Sequence, residues 1–366
     1  MNKYLWEADC PESDLWQELS SSDRPILVYG MGNGADKLTQ RLLERGLAVA
    51  DYFASDGFVR GQSFRGSRVL SRAEALSKYD APIVLLAFAS SRPEVLSMLY
   101  GLDAELRLYM PDLPVCGEQT FDLAFYRAHL SEIRETAAML ADEQSLRILD
   151  RVLRYKLSGR ISYLRETGEG EAPLSDILHY GSYRIALDGG AYSGDTASAL
   201  LDSAPSVREI VALEPDRRTF RRLCRYAEGE RRATVTPIRA ALCGEVGTRL
   251  FSVSGNRNST LGVGSYESSR ETVEAVTVDS LALDLDYIKL DVEGAEREAL
   301  LGARETIHRC RPELLVSVYH RSEDIFALPL LLRELCPDYD FYLRRNECLP
   351  AWELNLLAVP KGAVGA

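Results

Sequence analysis

The sequence predicts an α/β protein in which two parallel-sheet units are joined by a helical connector. In each unit a short apolar strand, at 25–29 or 183–187, runs into a glycine-rich turn and then a helix. Between the units, leucines recur at helical spacing through 146–157 behind Asp142, a residue suited to cap a helix. We therefore predict a small α/β domain at 1–118, a connector at 119–180 and a larger α/β domain at 181–366.

Composition excludes several classes of protein. The 366 residues carry a formal net charge of −12, which argues against binding to nucleic acid or anionic membranes. The longest apolar run, near 83–89, is too short to cross a bilayer, so we expect no membrane insertion. Seven cysteines without a C-x-x-C pair, and an acidic rather than apolar segment after Met1, predict a cytoplasmic protein with reduced thiols. A homodimer is left open.

The larger unit has a regular order of elements and an irregular end. Strands are predicted at 209–213, 233–238, 287–290, 314–318, 340–343 and 354–359, with helices at 216–226, 295–308 and 324–335. The connection at 346–352 is too short for a parallel crossover. The last two strands therefore form an antiparallel hairpin.

A ligand site is predicted where the first strand of the larger unit ends. The turn at 188–196 contains Gly190 and Gly194, which we interpret as removing side chains where a nucleoside-bearing ligand lies against the backbone. Glu214 ends the next strand and is followed by Pro215, so its carboxylate can accept both ribose hydroxyls. The predicted contacts are Asp188, Gly189, Gly190, Ala191, Tyr192, Gly194, Asp195, Thr196, Glu214 and Pro215.

A second group of charged residues lies at 287–296. Strand alternation places Lys289 and Asp291 on one side, where their burial is costly unless they face a site or each other. Glu293 and Glu296 follow in the first helical turn, where they either cap the helix or contact the acceptor.

These motifs resemble the FkbM family of S-adenosylmethionine-dependent methyltransferases. The resemblance runs through 188–196, 213–215 and 288–296 and continues at 302–303 and 312–320, and the segment at 142–145 is similar to a branch with an extra N-terminal domain. It implies a class I methyltransferase fold, S-adenosylmethionine as cofactor, and methylation of a hydroxyl on a sugar, glycan or glycosylated natural product, as in polysaccharide biosynthesis. The segment at 239–242 lacks the acid that many methyltransferases place near the adenine, so backbone groups such as those of Ala240 would serve instead.

Under this interpretation, alignment supplies much of the catalysis and a base assists the poorly acidic hydroxyl. The candidate bases are Asp291 and His320, and Lys289 either polarises the acceptor or neutralises Asp291. We expect His320→Ala or Asp291→Asn to abolish transfer and leave cofactor binding intact.

Ser259 and Thr260 lie in a polar loop that either contacts the acceptor or is a plain surface loop. No dedicated metal cluster is predicted, and an oxygen-only magnesium site stays open.

The N-terminal glycine turn suggests either a second site, for a nucleotide or nucleotide-sugar, or a vestigial pocket that binds nothing. Gly30, Gly32 and Ala35 fit the pattern G-x-G-x-x-G/A after a strand, Gly34 lies in the same turn, and Asp51 lies about 20 residues further on. The segment is similar to the Rossmann-like N-terminal domains of nucleotide-sugar enzymes, but a Tyr-x-x-x-Lys pair is absent from it. Two alternatives to the methyltransferase remain: an NAD-dependent nucleotide-sugar oxidoreductase and a non-catalytic nucleotide-sugar-binding module.

Overall fold

The computed structural model describes residues 4–8, 10–168, 174–253, 260–261 and 269–362. Within these ranges no helix is both long enough and apolar enough to cross a membrane. Two open α/β sheets, of five and seven strands, organise the chain.

The N-terminal unit contains a five-stranded parallel sheet. In chain order the elements of this unit are α1 Leu15–Ser20, β1 Ile26–Tyr29, α2 Asn33–Glu44, β2 Val49–Ala54, the small hairpin strands β3 Ser63–Phe64 and β4 Ser67–Arg68, β5 Leu70–Ser71, α3 Arg72–Lys78, β6 Ile83–Leu86, α4 Pro93–Glu105 and β7 Arg107–Tyr109. The strand order in the sheet is β5-β2-β1-β6-β7. The central strands β1 and β6 are buried along their full lengths, as expected of a sheet covered on both faces.

Four helices form the connector: α5 Leu123–Ala128, α6 Leu130–Met139, α7 Glu143–Ser158 and α8 Ser162–Gly168. Asp142 caps α7, as predicted, by accepting a hydrogen bond from the Ser145 backbone N–H at 2.8 Å. Gly159 ends the helix with a positive φ of 65°. The predicted loop at 168–173 lies mostly outside the described residues.

The larger unit contains a seven-stranded sheet. The elements of this unit in chain order are β8 Ile185–Gly189, α9 Asp195–Ser203, β9 Glu209–Leu213, α10 Arg217–Gly229, β10 Thr234–Ile238, then β11 Ala240–Leu242, β12 Gly247–Val253, β13 Thr260–Leu261 and β14 Ser269–Val276, followed by β15 Tyr287–Leu290, α11 Glu296–Leu301, α12 Arg304–Cys310, β16 Glu313–Ser317, α13 Asp324–Leu335, β17 Tyr339–Arg345 and β18 Leu354–Pro360. The strand order in the sheet is β10-β9-β8-β15-β16-β18-β17. The last two strands pair antiparallel, so the predicted hairpin is confirmed.

The larger unit differs from the sequence prediction in its strands after β10, which include Thr260 of the predicted polar loop, and in one helix. Strands β11 to β14 form an additional four-stranded sheet in the order β11-β14-β12-β13. The helix predicted at 295–308 is two helices, α11 and α12, separated at Gly302. A Cβ at Gly302 would lie 2.3 Å from the Cys243 carbonyl oxygen, so a contact with the chain after β11 fixes the break.

Buried polar contacts join the three parts of the chain. Arg344 of β17 pairs with Asp142 at the start of α7, and Arg345, only 2% exposed, donates to the carbonyl of Leu164 in α8 at 2.6 Å. On the other side, Ser90 after β6 exchanges two backbone hydrogen bonds with Leu349, of 2.8 and 2.9 Å. The N-terminal unit is therefore fixed directly against the loop of the C-terminal hairpin.

Candidate active site

A cavity of about 870 Å³ lies at the carboxyl ends of the central strands of the larger sheet, where open α/β sheets bind their ligands. Ten of the residues predicted from sequence line it: Gly190, Tyr192, Asp195, Thr196, Glu214, Pro215, Ala240, Lys289, Asp291 and Glu293. Six others are outside the described lining: Asp188, Gly189, Ala191, Gly194, Glu296 and His320.

The two glycines of the turn are required by close contacts within the protein. Gly190 and Gly194 have positive φ angles of 77° and 94°. A Cβ at Gly190 would lie 1.9 Å from the Asp291 carbonyl oxygen, and one at Gly194 would lie 2.2 Å from the Tyr226 ring. The close approach of the chain after β15 and of α10 is a reason for both glycines that the sequence did not reveal, and the predicted approach of a ligand to the turn stays a prediction.

The Glu214 carboxylate, at the end of β9, is a buried hydrogen-bond acceptor. Glu214 is 7% exposed, and burial raises the pKa of its carboxyl to about 7. Its Oε1 accepts the Asp216 backbone N–H at 2.7 Å, and the Tyr192 backbone also bonds to this carboxylate. Asp216 lines the same cavity, and its Oδ2 is buried with no hydrogen-bond partner among the described residues. A ligand donor would satisfy that oxygen.

Asp188 lies behind the cavity wall and holds a lysine in place. Lys289 Nζ is 3.2 Å from Asp188 Oδ1 and 4.0 Å from Asp291 Oδ2. The Thr196 hydroxyl donates to the other oxygen of Asp188. Burial alone would lower the pKa of Lys289, but Asp188 and Asp291 outweigh it and raise the pKa. The structure thus makes Asp188 the main counter-ion of Lys289, with Asp291 further away.

Two further carboxylates line the cavity. The side chains of Asp291 and Glu293 are 29% and 27% exposed, and the Tyr319 hydroxyl donates to Asp291 Oδ1 at 3.2 Å. Burial would raise the pKa of Asp291, but Lys289 and His320 hold it below its usual value. At Glu293 burial prevails and the pKa rises to about 8. These neighbouring acids therefore differ strongly in basicity.

The turn that carries Glu293 is strained and fixed from several sides. Glu293 has a φ of 53°, in the left-handed region that non-glycine residues seldom adopt. The buried Cys116 thiol donates to the Glu293 carbonyl at 3.0 Å, and Arg321 Nε donates to the Gly294 carbonyl at 3.0 Å. Glu296 Oε1 accepts the backbone N–H of Val292 at 2.8 Å. The strain is sustained by the surrounding structure.

His320 is fully buried behind the two carboxylates. Its Nδ1 is 3.0 Å from Glu296, and its Nε2 is 3.5 Å from Asp291 and 3.6 Å from Glu293. Burial would lower the pKa of the imidazole, but these three acids raise it to about 10. His320 is therefore a charged, enclosed counter-ion at neutral pH, which does not fit the general base expected from its ordinary pKa.

The same groups raise the question of a metal ion. Asp291, Glu296 and His320 each offer a ligand atom within 4.8 Å of the others. Glu296 and Asp291 lie against different nitrogens of the imidazole, and one ring gives a single nitrogen to one ion, so these three residues do not all face one ion in this geometry. We interpret this cluster as a charge-paired network.

Residues 188–346 match the model of the FkbM methyltransferase domain. The matched range includes the turn after β8, Glu214 and the 288–296 motif. This part of the chain is an FkbM methyltransferase domain. The protein is thus a methyltransferase with S-adenosylmethionine as its cofactor, as the sequence predicts. The match does not extend to the N-terminal unit or the connector.

The fold of most of the chain is similar to that of a solved FkbM methyltransferase. The FkbM methyltransferase of Methylobacillus flagellatus KT has a TM-score of 0.70 at 19% identity, with 91% of this chain and 89% of that chain covered. Fibrillarin of Aeropyrum pernix, solved with S-adenosyl-L-methionine, has a TM-score of 0.30 at 16% identity, with 48% and 66% covered. The S-adenosylhomocysteine-bound Podospora anserina methyltransferase PaMTH1 also scores 0.30, at 14% identity, with 74% and 97% covered. No curated protein matches the sequence.

The predicted acceptor residues are only partly located. Ser259 lies outside the described residues, and Thr260 begins the short strand β13. Glu296, expected to contact the acceptor, is 1% exposed and pairs with His320. The sequence missed Asp216, although an acid directly after Glu214 and Pro215 was a usable signal. It also missed Tyr319, Trp352 and Ser90, which line the cavity and come from loops and a second domain.

The N-terminal site is not assembled as predicted. Gly32 and Gly34 line a smaller cleft at the end of β1, but Asp51 is in the interior of β2, three residues before its end. Its carboxylate accepts hydrogen bonds from Lys78 at 2.7 Å and Tyr79 at 2.6 Å. Gly30 and Asp51 are both outside the described lining of that cleft.

Proposed function

We propose that this protein transfers the methyl group of S-adenosylmethionine to a hydroxyl of a sugar or glycosylated acceptor. One observation carries the proposal: a single cavity joins the buried hydrogen-bond acceptor Glu214 to the carboxylates Asp291 and Glu293. A carboxyl with a pKa of about 8 is well matched to removing a proton from a hydroxyl near neutral pH.

The cofactor side of the cavity suits a nucleoside that bears hydroxyl groups. Glu214 and the unpartnered Oδ2 of Asp216 accept hydrogen bonds from such groups. Tyr192, Pro215 and Ala240 lie along the same wall. S-adenosylmethionine would supply a methyl carbon bonded to a positively charged sulfur: the hydroxyl oxygen would bond to that carbon as the carbon–sulfur bond breaks, with S-adenosylhomocysteine as the leaving group.

On the acceptor side, Glu293 is the general base and Asp291 orients the hydroxyl. Asp291 is held ionised by Lys289 and His320 and is fixed by Tyr319, so it accepts a hydrogen bond well but is a weak base. Glu293 has the higher pKa and takes the proton from the hydroxyl oxygen as the C–O bond forms. His320 does not line the cavity and acts by positioning both carboxylates.

Replacing Glu214 by Ala is expected to weaken S-adenosylhomocysteine binding by about 10- to 100-fold, because hydrogen bonds to a charged group contribute roughly 1.5–3 kcal/mol. Isothermal titration calorimetry measures the change. Glu209→Ala is the matched control, since Glu209 begins the same strand at its opposite end. Equal affinity in wild type and Glu214→Ala would contradict the assignment of this wall to the cofactor.

The acceptor class is tested by following a labelled methyl group. The protein is incubated with methyl-labelled S-adenosylmethionine and a panel of alkyl glycosides, nucleotide sugars, amines and carboxylic acids. We expect label in an alkali-stable methyl ether of a sugar-containing member. Label found only on amines or as a hydrolysable ester would refute hydroxyl methylation.

Cys116 is expected to be a positioning residue for Glu293. Burial raises the pKa of its thiol to about 12, so it stays protonated and donates to the Glu293 carbonyl. Cys116→Ala should lower kcat by about 3- to 10-fold, the effect of one hydrogen bond of about 1 kcal/mol, and shift the pH midpoint of the rate. Cys116→Ser should restore both, because serine also donates.

The matched control is Cys336→Ala. Cys336 is also buried, its thiol donates at 3.0 Å to the Leu332 carbonyl of α13, and it is outside the described cavity lining. If Cys116→Ala leaves the pH profile unchanged, or if Ser fails to rescue it, the thiol has no positioning role.

A further inference from the structure

A second cleft continues the reaction cavity into the N-terminal unit. It measures about 260 Å³ and lies at the carboxyl ends of β1, β6 and β7. Three residues line both spaces: Ala89 and Val115 from the N-terminal unit and Trp352 from the β17–β18 loop. The two spaces therefore adjoin, and Val115 directly precedes Cys116, whose thiol bonds to the Glu293 carbonyl.

The walls of this cleft are mostly apolar. Phe88, Met110 and Leu113 contribute apolar surface, while Pro111, Pro114 and Pro350 have restricted backbones. Among the described lining residues Lys37 is the charged one, and its Nζ donates to the Val115 carbonyl at 3.3 Å. Such a surface gains free energy by burying apolar groups and offers little to a diphosphate.

The small volume of the cleft and the absence of Asp51 from its described lining both argue against a complete nucleotide there. Ligand pockets usually span about 300–1,000 Å³, so 260 Å³ suits part of a molecule. The acid expected to bind a ribose, Asp51, is paired with Lys78 instead. The space instead fits an apolar substituent of a ligand whose polar end lies in the larger cavity.

We propose that this cleft binds the apolar, unmethylated portion of a glycosylated acceptor whose sugar lies beside Asp291 and Glu293. The inference rests on the proposed function and narrows it to sugars that carry an apolar group. The N-terminal unit then selects the acceptor, and the FkbM domain carries out the transfer.

The test measures binding of methyl, n-octyl and 2-naphthyl β-D-glucoside to full-length protein saturated with S-adenosylhomocysteine. We expect the octyl or naphthyl glucoside to bind at least tenfold more tightly than the methyl glucoside. If the octyl glucoside binds more tightly, the natural substituent is a flexible chain; if the naphthyl glucoside does, it is a ring. Equal affinity for all three glucosides would overturn the inference.

Variants locate the binding site within the molecule. Leu113→Asp, at a half-buried position of the cleft, should abolish the gain from the apolar substituent and leave S-adenosylhomocysteine affinity unchanged. Leu43→Asp is the control, because Leu43 lies on α2, is 52% exposed and is outside the described lining. An unchanged gain in Leu113→Asp overturns the inference, whereas failure of the wild type to bind S-adenosylhomocysteine refutes the proposed function alone.

Discussion

Replacing Glu293 by Gln lowers kcat for methyl transfer by about 10²- to 10⁴-fold, the usual contribution of a general base. Gln preserves the shape of the side chain and its place in the strained turn, but it does not accept the hydroxyl proton. The wild-type rate should rise about tenfold per pH unit below the Glu293 pKa of about 8 and become constant above it. In Glu293→Gln this rise should disappear.

The pH profile separates the two carboxylates. The pKa of Asp291 lies below its usual value, so Asp291 stays ionised throughout the neutral range and produces no change of slope near pH 8. Glu298→Gln is the matched control, because that side chain is 58% exposed on α11. Initial rates with labelled S-adenosylmethionine and the acceptor found in the panel provide the measurement. A wild-type profile that is flat between pH 6 and 9 would assign the base to Asp291 instead.

Replacing His320 by Gln destabilises the protein by about 3–5 kcal/mol at neutral pH, since breaking a buried ion pair leaves uncompensated buried charge. The side chain is fully buried, and its removal leaves Glu296, Asp291 and Glu293 without their shared cation. Chemical denaturation of the two proteins gives the difference in free energy of unfolding. S-adenosylhomocysteine affinity of the folded variant should be nearly unchanged, because His320 is outside the described cavity lining.

The sign of the pH dependence follows from the raised pKa. The His320 pKa is about 10 in the folded protein against 6.5 in the unfolded chain, so protonation favours folding. Its contribution is complete below pH 6.5 and is lost as the pH rises to about 10, and His320→Gln should lack this loss.

A double variant tests the cause of the destabilisation. His320→Gln combined with Glu296→Gln should recover part of the lost stability, because the nearest unpaired acid is then neutral. If the double variant is as unstable as the sum of both single variants, lost packing rather than charge explains the effect.

The sequence predicted the parts of the fold and site that depend on local pattern. Strand-end acids such as Glu214 and Asp291 follow directly from apolar strands, and the short connection at 346–352 dictates a hairpin. The break at Gly302 was not predictable, because it depends on the Cys243 carbonyl approaching from another sheet. The surroundings of His320 were not predictable for the same reason: its three acidic neighbours raise its pKa, and their distances to the ring come only from the fold.

Contacts between distant segments determine the remaining features. Asp51 has the spacing of a ribose-binding acid, yet Lys78 and Tyr79 bind it in the interior of β2. Cys116 showed no motif, and its hydrogen bond to Glu293 joins residues 177 positions apart. Such pairs leave no periodic signal in one sequence.

The N-terminal unit and the loop of the C-terminal hairpin are joined by paired backbone hydrogen bonds between Ser90 and Leu349, which do not depend on particular side chains. Backbone hydrogen bonds tolerate side-chain replacement at both positions, so the junction can persist while the surfaces around it vary. The cleft residues of the N-terminal unit and the proton-transfer residues of the FkbM domain belong to separate sheets. Chimeras that exchange residues 1–118 between relatives would therefore alter which acceptor is chosen and retain the same transfer chemistry.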